Sequence, residues 1–279
     1  MVTGNNSIVT RGEFIDPAIE QLSSKEGELS IFQAGDGLSF SLAHKPTGRI
    51  VLLAEYELSS DPNAVLELLK QFNEPFGSYK MGWKSNLNTW IPKALFDESK
   101  FSTYSEATLG KGNFAFTEMD EMESVLIHER IPAQLERVAE VYSNLLALPD
   151  AGIHATAITR HWKTRPGQHM YIDYNPGALS ITAVSNGSLL LQNTYAIQSE
   201  DDALYYVLFA YEQLKFNQDE VPMKVSGPLT ENFGLWSTLS KYIRNIEWME
   251  FTGNIHPSNA IPIVELRTNA ALIQLHSCG

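Results

Sequence analysis

One carboxylate stands where phosphate chemistry could begin. In YIDYNPGALSITAV, residues 171 to 184 of the 279-residue chain, Asp173 falls where a first strand runs out into a tight turn that leads to a second strand. An acid in that place can hold a divalent cation or its waters, while the backbone N–H groups of a glycine-rich turn cradle a phosphate. The residues that follow argue against this use. Asn175 stands in place of a glycine, Pro176 has no N–H to donate, Ala178 and Leu179 offer no hydroxyl, and only Gly177 lets the backbone come close to a ligand. Asp173 therefore reads as a turn residue.

Other chemistries have less to work with. The seven histidines, His44, His128, His154, His161, His169, His256 and His276, show no HExxH or HxH spacing, and a single cysteine excludes a thiolate zinc site. A nuclease working through two metal ions needs several converging carboxylates, and only Asp173 lies on a first strand. There is no Gly-x-Ser-x-Gly elbow, and Cys278, at a terminus expected to be mobile, is a poor nucleophile. The acidic run TEMDEMESVLIHER reads as a solvated segment whose apolar stripe, Met119, Met122 and Val125, follows helical spacing. No catalytic residue and no metal site are assigned.

The elements that must position Asp173 belong to an acidic, globular chain. It is 43% hydrophobic, enough for a sizeable core, and carries a formal net charge of -13 with a pI near 5.0. Nucleic-acid binders concentrate Lys and Arg on one face; here the longest basic cluster, Arg160, Lys163 and Arg165, is interrupted by His161, Trp162 and Thr164. Nucleic acid is not an expected partner. A lone cysteine forms no intrachain disulfide, the start MVTGNNSIVTRGEF lacks a signal-peptide pattern, and the most apolar stretch, LYYVLFAYEQL, is about half the length of a membrane span. A cytoplasmic setting is expected.

An internal repeat organises the chain. LSFSLAH (38 to 44) matches LSITAVS (179 to 185), Leu38 and Leu179 lying 141 residues apart. RIVLLAEYELSSDPNAVLELL (49 to 69) then matches SLLLQNTYAIQSEDDALYYVL (188 to 208), with Tyr56 and Tyr195 lying 139 apart. The change in spacing falls in the hairpin turn, where HKPTGR is replaced by SNG. Each copy thus gives three strands joined by hairpins and then a helix, started by Ser60, Asp61 and Pro62 in one and by Ser199 followed by Glu200, Asp201 and Asp202 in the other. In the second helix Ala203, Val207, Ala210 and Leu214, with Leu204 and Leu208 beside them, form the expected core face. Tyr205, Tyr206 and Tyr211 are expected at the core and its margin, with hydroxyls reaching solvent. A strand PMKVSG and a helix from near Asn232 follow; the corresponding region of the first copy is taken as NLNTWIPKALF, strand-like through Trp90 and Ile91 and turning at Pro92.

Three antiparallel strands, a crossover helix and a fourth strand, given twice, form the pattern of a duplicated ribonuclease-H-like unit. That pattern resembles the actin-like ATPase superfamily, which includes sugar kinases, heat-shock chaperones and the cytoplasmic assembly protein of type IV pili. More closely, LLLQNTYAIQSEDDALYYVLFAYEQLKF, with VSGPL after it and NTWIPKALF in the first half, resembles an uncharacterised bacterial family, the domain of unknown function 3822. The resemblance implies an α/β chain with the actin-like ATPase fold. Its two tandem ribonuclease-H-like domains, residues 28–165 and 166–279, would each carry a mixed five-stranded sheet flanked by helices. The N-terminal extension 1–27 would be either partly disordered or an added strand.

What the resemblance implies for a site is mixed. Nucleotide-handling members carry Asp-x-Gly followed by Gly, Ser or Thr at the first hairpin of each half. In the first half, IFQAGDGLSFSL, the counterpart of Asp173 is Phe32 without a gap or Gln33 with one, and Asp36 and Gly37 fit a tight hairpin turn. The basic residue usual at the end of that loop is missing, Ser39, Phe40 and Ser41 standing in its place. The superfamily's adenine-binding glycines map onto VSGPLTENFGLWSTL, where Gly227, Gly234 and Leu235 fit while Pro228 replaces the second glycine and Phe233 a common proline. Asp173, Asn175, Gly177, Gly227 and Gly234 are thus the nucleotide candidates, and ATP with magnesium is the cofactor they would take. With so many donors lost, the expected function is a noncatalytic scaffold, a pseudo-ATPase that binds another protein or a second copy of itself. The alternatives are an ATP-binding switch or ATPase using Asp173 and a small-molecule binder in the interdomain cleft.

Overall fold

The computed structural model describes residues 9–35, 37–58, 61, 63–70, 75–142, 145–230, 234–250 and 255–279. Strand β1 (Val9–Ile15) precedes the meander β2 (Gly27–Ala34), β3 (Gly37–His44) and β4 (Arg49–Glu57), then helix α1 (Ala64–Leu69) and β5 (Ser78–Trp83). Next come β6 (Asn88–Pro92), α2 (Phe101–Leu109), β7 (Phe114–Met119), β8 (Ser124–Glu129), α3 (Ala133–Val141), β9 (Leu146–Pro149) and α4 (Asp150–Trp162). A second meander, β10 (Gln168–Asn175), β11 (Ala178–Ser185) and β12 (Ser188–Ala196), leads to α5 (Glu200–Leu214) and β13 (Met223–Ser226). The chain ends with α6 (Gly234–Leu239), β14 (Ile246–Trp248), β15 (His256–Pro257), α7 (Ile263–Thr268) and α8 (Ala270–Leu275).

Two compact units form, and neither is continuous in sequence. The first comprises Met1–Lys84, Ile131–Asp150 and Asn254–Gly279; the second comprises Ser85–Arg130 and Ala151–Gly253. The repeat assigns the last segment to the second half, but α8 packs on β2, β3 and β5, which places it with the first sheet.

The first unit is built on a sheet of order β1-β4-β3-β2-β5-β9, with β15 also on β4. Alternation along β2 sends Leu29 and Ile31 to one face, where they meet Leu38, Phe40, Leu42, Val65 and Leu68 of the meander and α1 and Leu135 and Val138 of α3. Glu28 and Ser30 go to the other face and meet His276 at the end of α8. The end of the chain is held accordingly: Cys278, expected at a mobile terminus, is fully buried, its thiol directed at the Gln274 carbonyl 3.7 Å away. Of the N-terminal extension, Val9–Ile15 is an added strand antiparallel to β4.

The second unit repeats the plan. Its five-stranded sheet runs β12-β11-β10-β13-β14, the same order as β4-β3-β2-β5-β9 in the first. The strand senses agree as well: antiparallel within each meander, and parallel from β2 to β5 to β9 and from β10 to β13 to β14. Even the irregularity recurs. The ladder slips between Leu42 and Ala43 in one and between Ala183 and Val184 in the other, so that Val51 and Leu190 stand as the extra residues, at the spacing of the aligned repeats. Residues of β10, β11 and β13 form a core with Ala203, Val207, Ala210 and Tyr211 of α5 and Leu235 and Leu239 of α6.

Four expectations are corrected. The fourth strand of the first copy is SYKMGW (β5), parallel to β2, whereas NTWIP (β6) belongs to a separate three-stranded sheet of order β6-β8-β7. Met119, Met122 and Val125 do not share an α-helical face: Met119 ends β7, Met122 lies in the short 3-10 turn Asp120–Met122 and Val125 lies in β8, the chain turning through Glu123 at φ 48°. Leu208 is half-buried, while the fully buried positions of α5 are Ala203, Val207, Ala210 and Tyr211. The Tyr211 hydroxyl does not reach solvent but donates to the buried Val221 carbonyl. Ser60, Pro62 and the helix start near Asn232 lie outside the described residues.

Candidate functional site

Asp173 lies near the end of β10, flanked across the ladders by Ser180 of β11 and Ser226 of β13. It is 8% exposed, and its carboxylate is already engaged. Oδ1 accepts the Ser226 hydroxyl at 2.6 Å, Oδ2 accepts the Asn175 side-chain amide at 2.7 Å, and His154 of α4 approaches Oδ2 at 3.8 Å. A small cavity of about 10 Å3 is lined by Asp173, Ser226, His154 and Ser180 with Tyr171, Thr182 and Met249, room for about one water and far too little for a phosphate. Trp162 donates to the Tyr171 hydroxyl at 2.5 Å, and burial is the main reason that Tyr171 is pushed up to about 12, leaving it protonated.

The candidate glycines have other duties. Pro176 and Gly177 form the two-residue turn between Asn175 and Ala178, Gly177 taking φ 85° at the position where a turn begun by proline calls for a left-handed residue. Gly227, at φ 108°, lets the loop after β13 lie directly on β10: a side chain there would meet the Tyr174 carbonyl oxygen at 1.9 Å. Gly234 opens α6 beside Glu200, where a β-carbon would come within 2.6 Å of the Glu200 carboxylate. Asp173, Asn175 and Gly177 are brought together, as are Gly227 and Tyr174; Gly234 serves a separate contact. Among the described residues, no group of three or more His, Cys, Asp or Glu side chains is placed to hold a metal ion.

In the first unit, the ladder register resolves the counterpart of Asp173. Counted back from the turn, Ala34 and Gly37 close one hairpin as Asn175 and Ala178 close the other, so Phe32 stands where Asp173 does. Gln33 is buried and occupied, donating to the Gln134 side-chain oxygen at 2.7 Å. Asp36 lies outside the described residues. Sequence reasoning missed Ser226 and His154, neither of which lies near Asp173 in the chain. The signal for Ser226 was present in the expected strand PMKVSG, which brings its serine alongside the first strand of a ribonuclease-H-like unit.

The double sheet with this strand order is the actin-like ATPase fold. A crystal structure of a Bacteroides thetaiotaomicron protein with that fold and unknown function, at 1.85 Å resolution, matches with a TM-score of 0.70 at 20% identity, over 92% of this chain and 97% of that one. The structure of the PilM-PilN type IV pilus biogenesis complex matches with a TM-score of 0.52 at 14% identity, over 90% and 97%. No curated protein sequence matches the chain. Residues 16–246 match the family described as "Protein of unknown function (DUF3822)", and the chain belongs to that family.

Proposed function

We propose that this protein is a noncatalytic actin-like scaffold that binds another protein in the cytoplasm. The observation that carries this reading is the state of Asp173: buried, with Ser226 and Asn175 holding both carboxylate oxygens. A magnesium-binding aspartate needs its oxygens turned toward the ion, and a phosphate needs several converging N–H donors; Pro176 has none to offer. The reading takes the chain as a duplicated ribonuclease-H-like unit whose first copy has Phe32 in place of the acid. It is supported by the fact that a protein of the same fold is found in the PilM-PilN complex. Among the described residues, no helix is long and apolar enough to cross a membrane.

The test is titration with magnesium-ATP by calorimetry and thermal shift, beside an assay for released phosphate. The scaffold reading expects neither binding nor turnover. Binding without turnover would favour a switch built on Asp173, and turnover an ATPase.

A further inference from the structure

The two sheets match in order and sense, but their equivalent edges are treated differently. In the first unit the outer edge of β4 is covered along its length. β1 pairs with it antiparallel from Leu52 to Glu57, and β15 pairs with it at Arg49 and Ile50. The repeat places β12 at the same position in the second sheet, with Leu191–Ala196 corresponding to Leu52–Glu57. There β12 is the terminal strand, and among the described residues nothing pairs with its outer edge.

What lies beside β12 instead is a groove of about 590 Å3, lined by residues of β12, β6 and their neighbours. β6 is itself the terminal strand of the three-stranded sheet, so two strand edges border this space. Two side-chain bridges cross between them, Asn88 to Thr194 at 3.2 Å and Trp90 to Gln192 at 2.8 Å, and no ladder joins the two backbones. None of the lining side chains carries a charge, in a chain whose net charge is -13. Along β12 the lining is apolar at Leu189, Leu190 and Leu191 and then neutral and polar at Gln192, Asn193 and Thr194, and Leu87 and Leu190 are 45% and 47% exposed. An unpaired strand edge is a template for another strand, and natural proteins usually blunt it with charge, proline or a covering segment. Here the groove side of β12 has no charge and no proline.

We propose that the outer edge of β12 and the groove beside β6 form the docking site for an extended, uncharged segment of another protein, which adds to the sheet as β1 adds to β4. The proposal rests on the scaffold reading and names its surface. The chemistry selects the occupant: strand edges recognise an extended backbone, the leucines take aliphatic side chains, and the amides and hydroxyls take neutral polar ones. A basic segment finds no acid in this groove, although the rest of the molecule would attract it.

The experiment uses the full chain and a synthetic peptide of alternating valine and threonine, about eight residues long as strands commonly are, with blocked ends. A second peptide carries lysine in place of threonine. Hydrogen exchange read by mass spectrometry should show that the neutral peptide saturably slows exchange in residues 188–196. The lysine peptide should bind about tenfold more weakly, and Leu190→Lys should abolish the protection while its circular dichroism stays unchanged. Protection elsewhere only, no protection at millimolar peptide, equal binding of the lysine peptide, or unchanged binding by Leu190→Lys would overturn the proposal. Protection of 188–196 that rises with protein concentration and needs no peptide would also overturn it, assigning the edge to a second copy of the chain. Turnover of magnesium-ATP with the peptide protection intact would remove the scaffold reading alone; the reverse pattern would remove this surface and leave that reading standing.

Discussion

Asp173 and the groups around it decide between a ligand site and a structural knot. A carboxylate that serves a ligand is usually strained or repelled in its absence, so its removal stabilises the protein or leaves it unchanged. A carboxylate that holds Ser226 and Asn175 is missed when it goes. Asp173→Ala should therefore lower unfolding stability by about 1–3 kcal/mol in denaturant titration, the cost of stranding buried partners of a charged acceptor, without loss of biological activity. A variant as stable as the parent would point to a ligand site. His169 gives a second test at this scale. It stacks on Trp162 with ring centroids 3.3 Å apart, and burial first, then the charges of Lys224 and His161, holds it down at about 4. Its folded value lies below the ordinary 6.5, so the stability it contributes is present above that value and is lost as the pH falls through about 4. His169→Phe, which keeps the stacking, should flatten this part of the acid limb of the melting curve. The turn role of Asp173 was legible because Pro176 and the lost glycines are local facts. Its partner Ser226, 53 residues away, becomes its neighbour only through the register of β10 against β13.

Elements were legible where the repeat spoke and obscure where it fell silent. The meanders, the Ser199 cap and α5 come straight from alternation, spacing and capping chemistry; Ser199 and Asp202 form a full capping box. The fourth strand of the first copy was misassigned because Tyr79, Met81 and Trp83 alternate as plausibly as Thr89 and Ile91, and local sequence does not say which sheet a strand will join. On α5, Val207→Asp should cost about 4 kcal/mol or more by burying an unpaired charge, while Leu208→Asp, at a half-buried position, should cost roughly half as much. Equal melting temperatures for the two variants would refute the observed face.

The clasp that holds α8 to the first sheet makes the corresponding pH prediction. Burial would raise Glu28, but the hydrogen bond and charge of His276 and the charge of Lys80 outweigh it and hold it at about 2, below its ordinary 4.5. Burial also holds His276 below 6.5, against the pull of Glu28. Both folded values lie under the unfolded ones, so both groups stabilise the fold above those values and lose that contribution on acidification. His276 starts the loss below 6.5, and Glu28 continues it from 4.5 down to about 2. Glu28→Gln should melt lower than the parent at pH 7 and decline less steeply than the parent between 4.5 and 2, the other paired carboxylates still titrating there; a decline parallel to the parent's would exclude the clasp.

For the whole molecule, duplication explains both what was legible and what was not. Two copies with the same strand order and the same bulge let one half be read from the other, so the meanders and their helix were legible from alternation and spacing, and the fold followed from the family resemblance they carry. Function resisted because the copies have diverged at the positions that would act: Phe32 against Asp173 at the strand end, and a covered edge on β4 against an open one on β12. The discontinuous units could not be read at all, since nothing local in Asn254–Gly279 says that its helix will pack on β2, β3 and β5. The proposal that this protein is a scaffold that binds no nucleotide is tested most directly by calorimetry with magnesium-ATP. With tens of micromolar protein and millimolar nucleotide, the expected heats are no larger than those of dilution. A saturable isotherm that disappears in Asp173→Ala would contradict it.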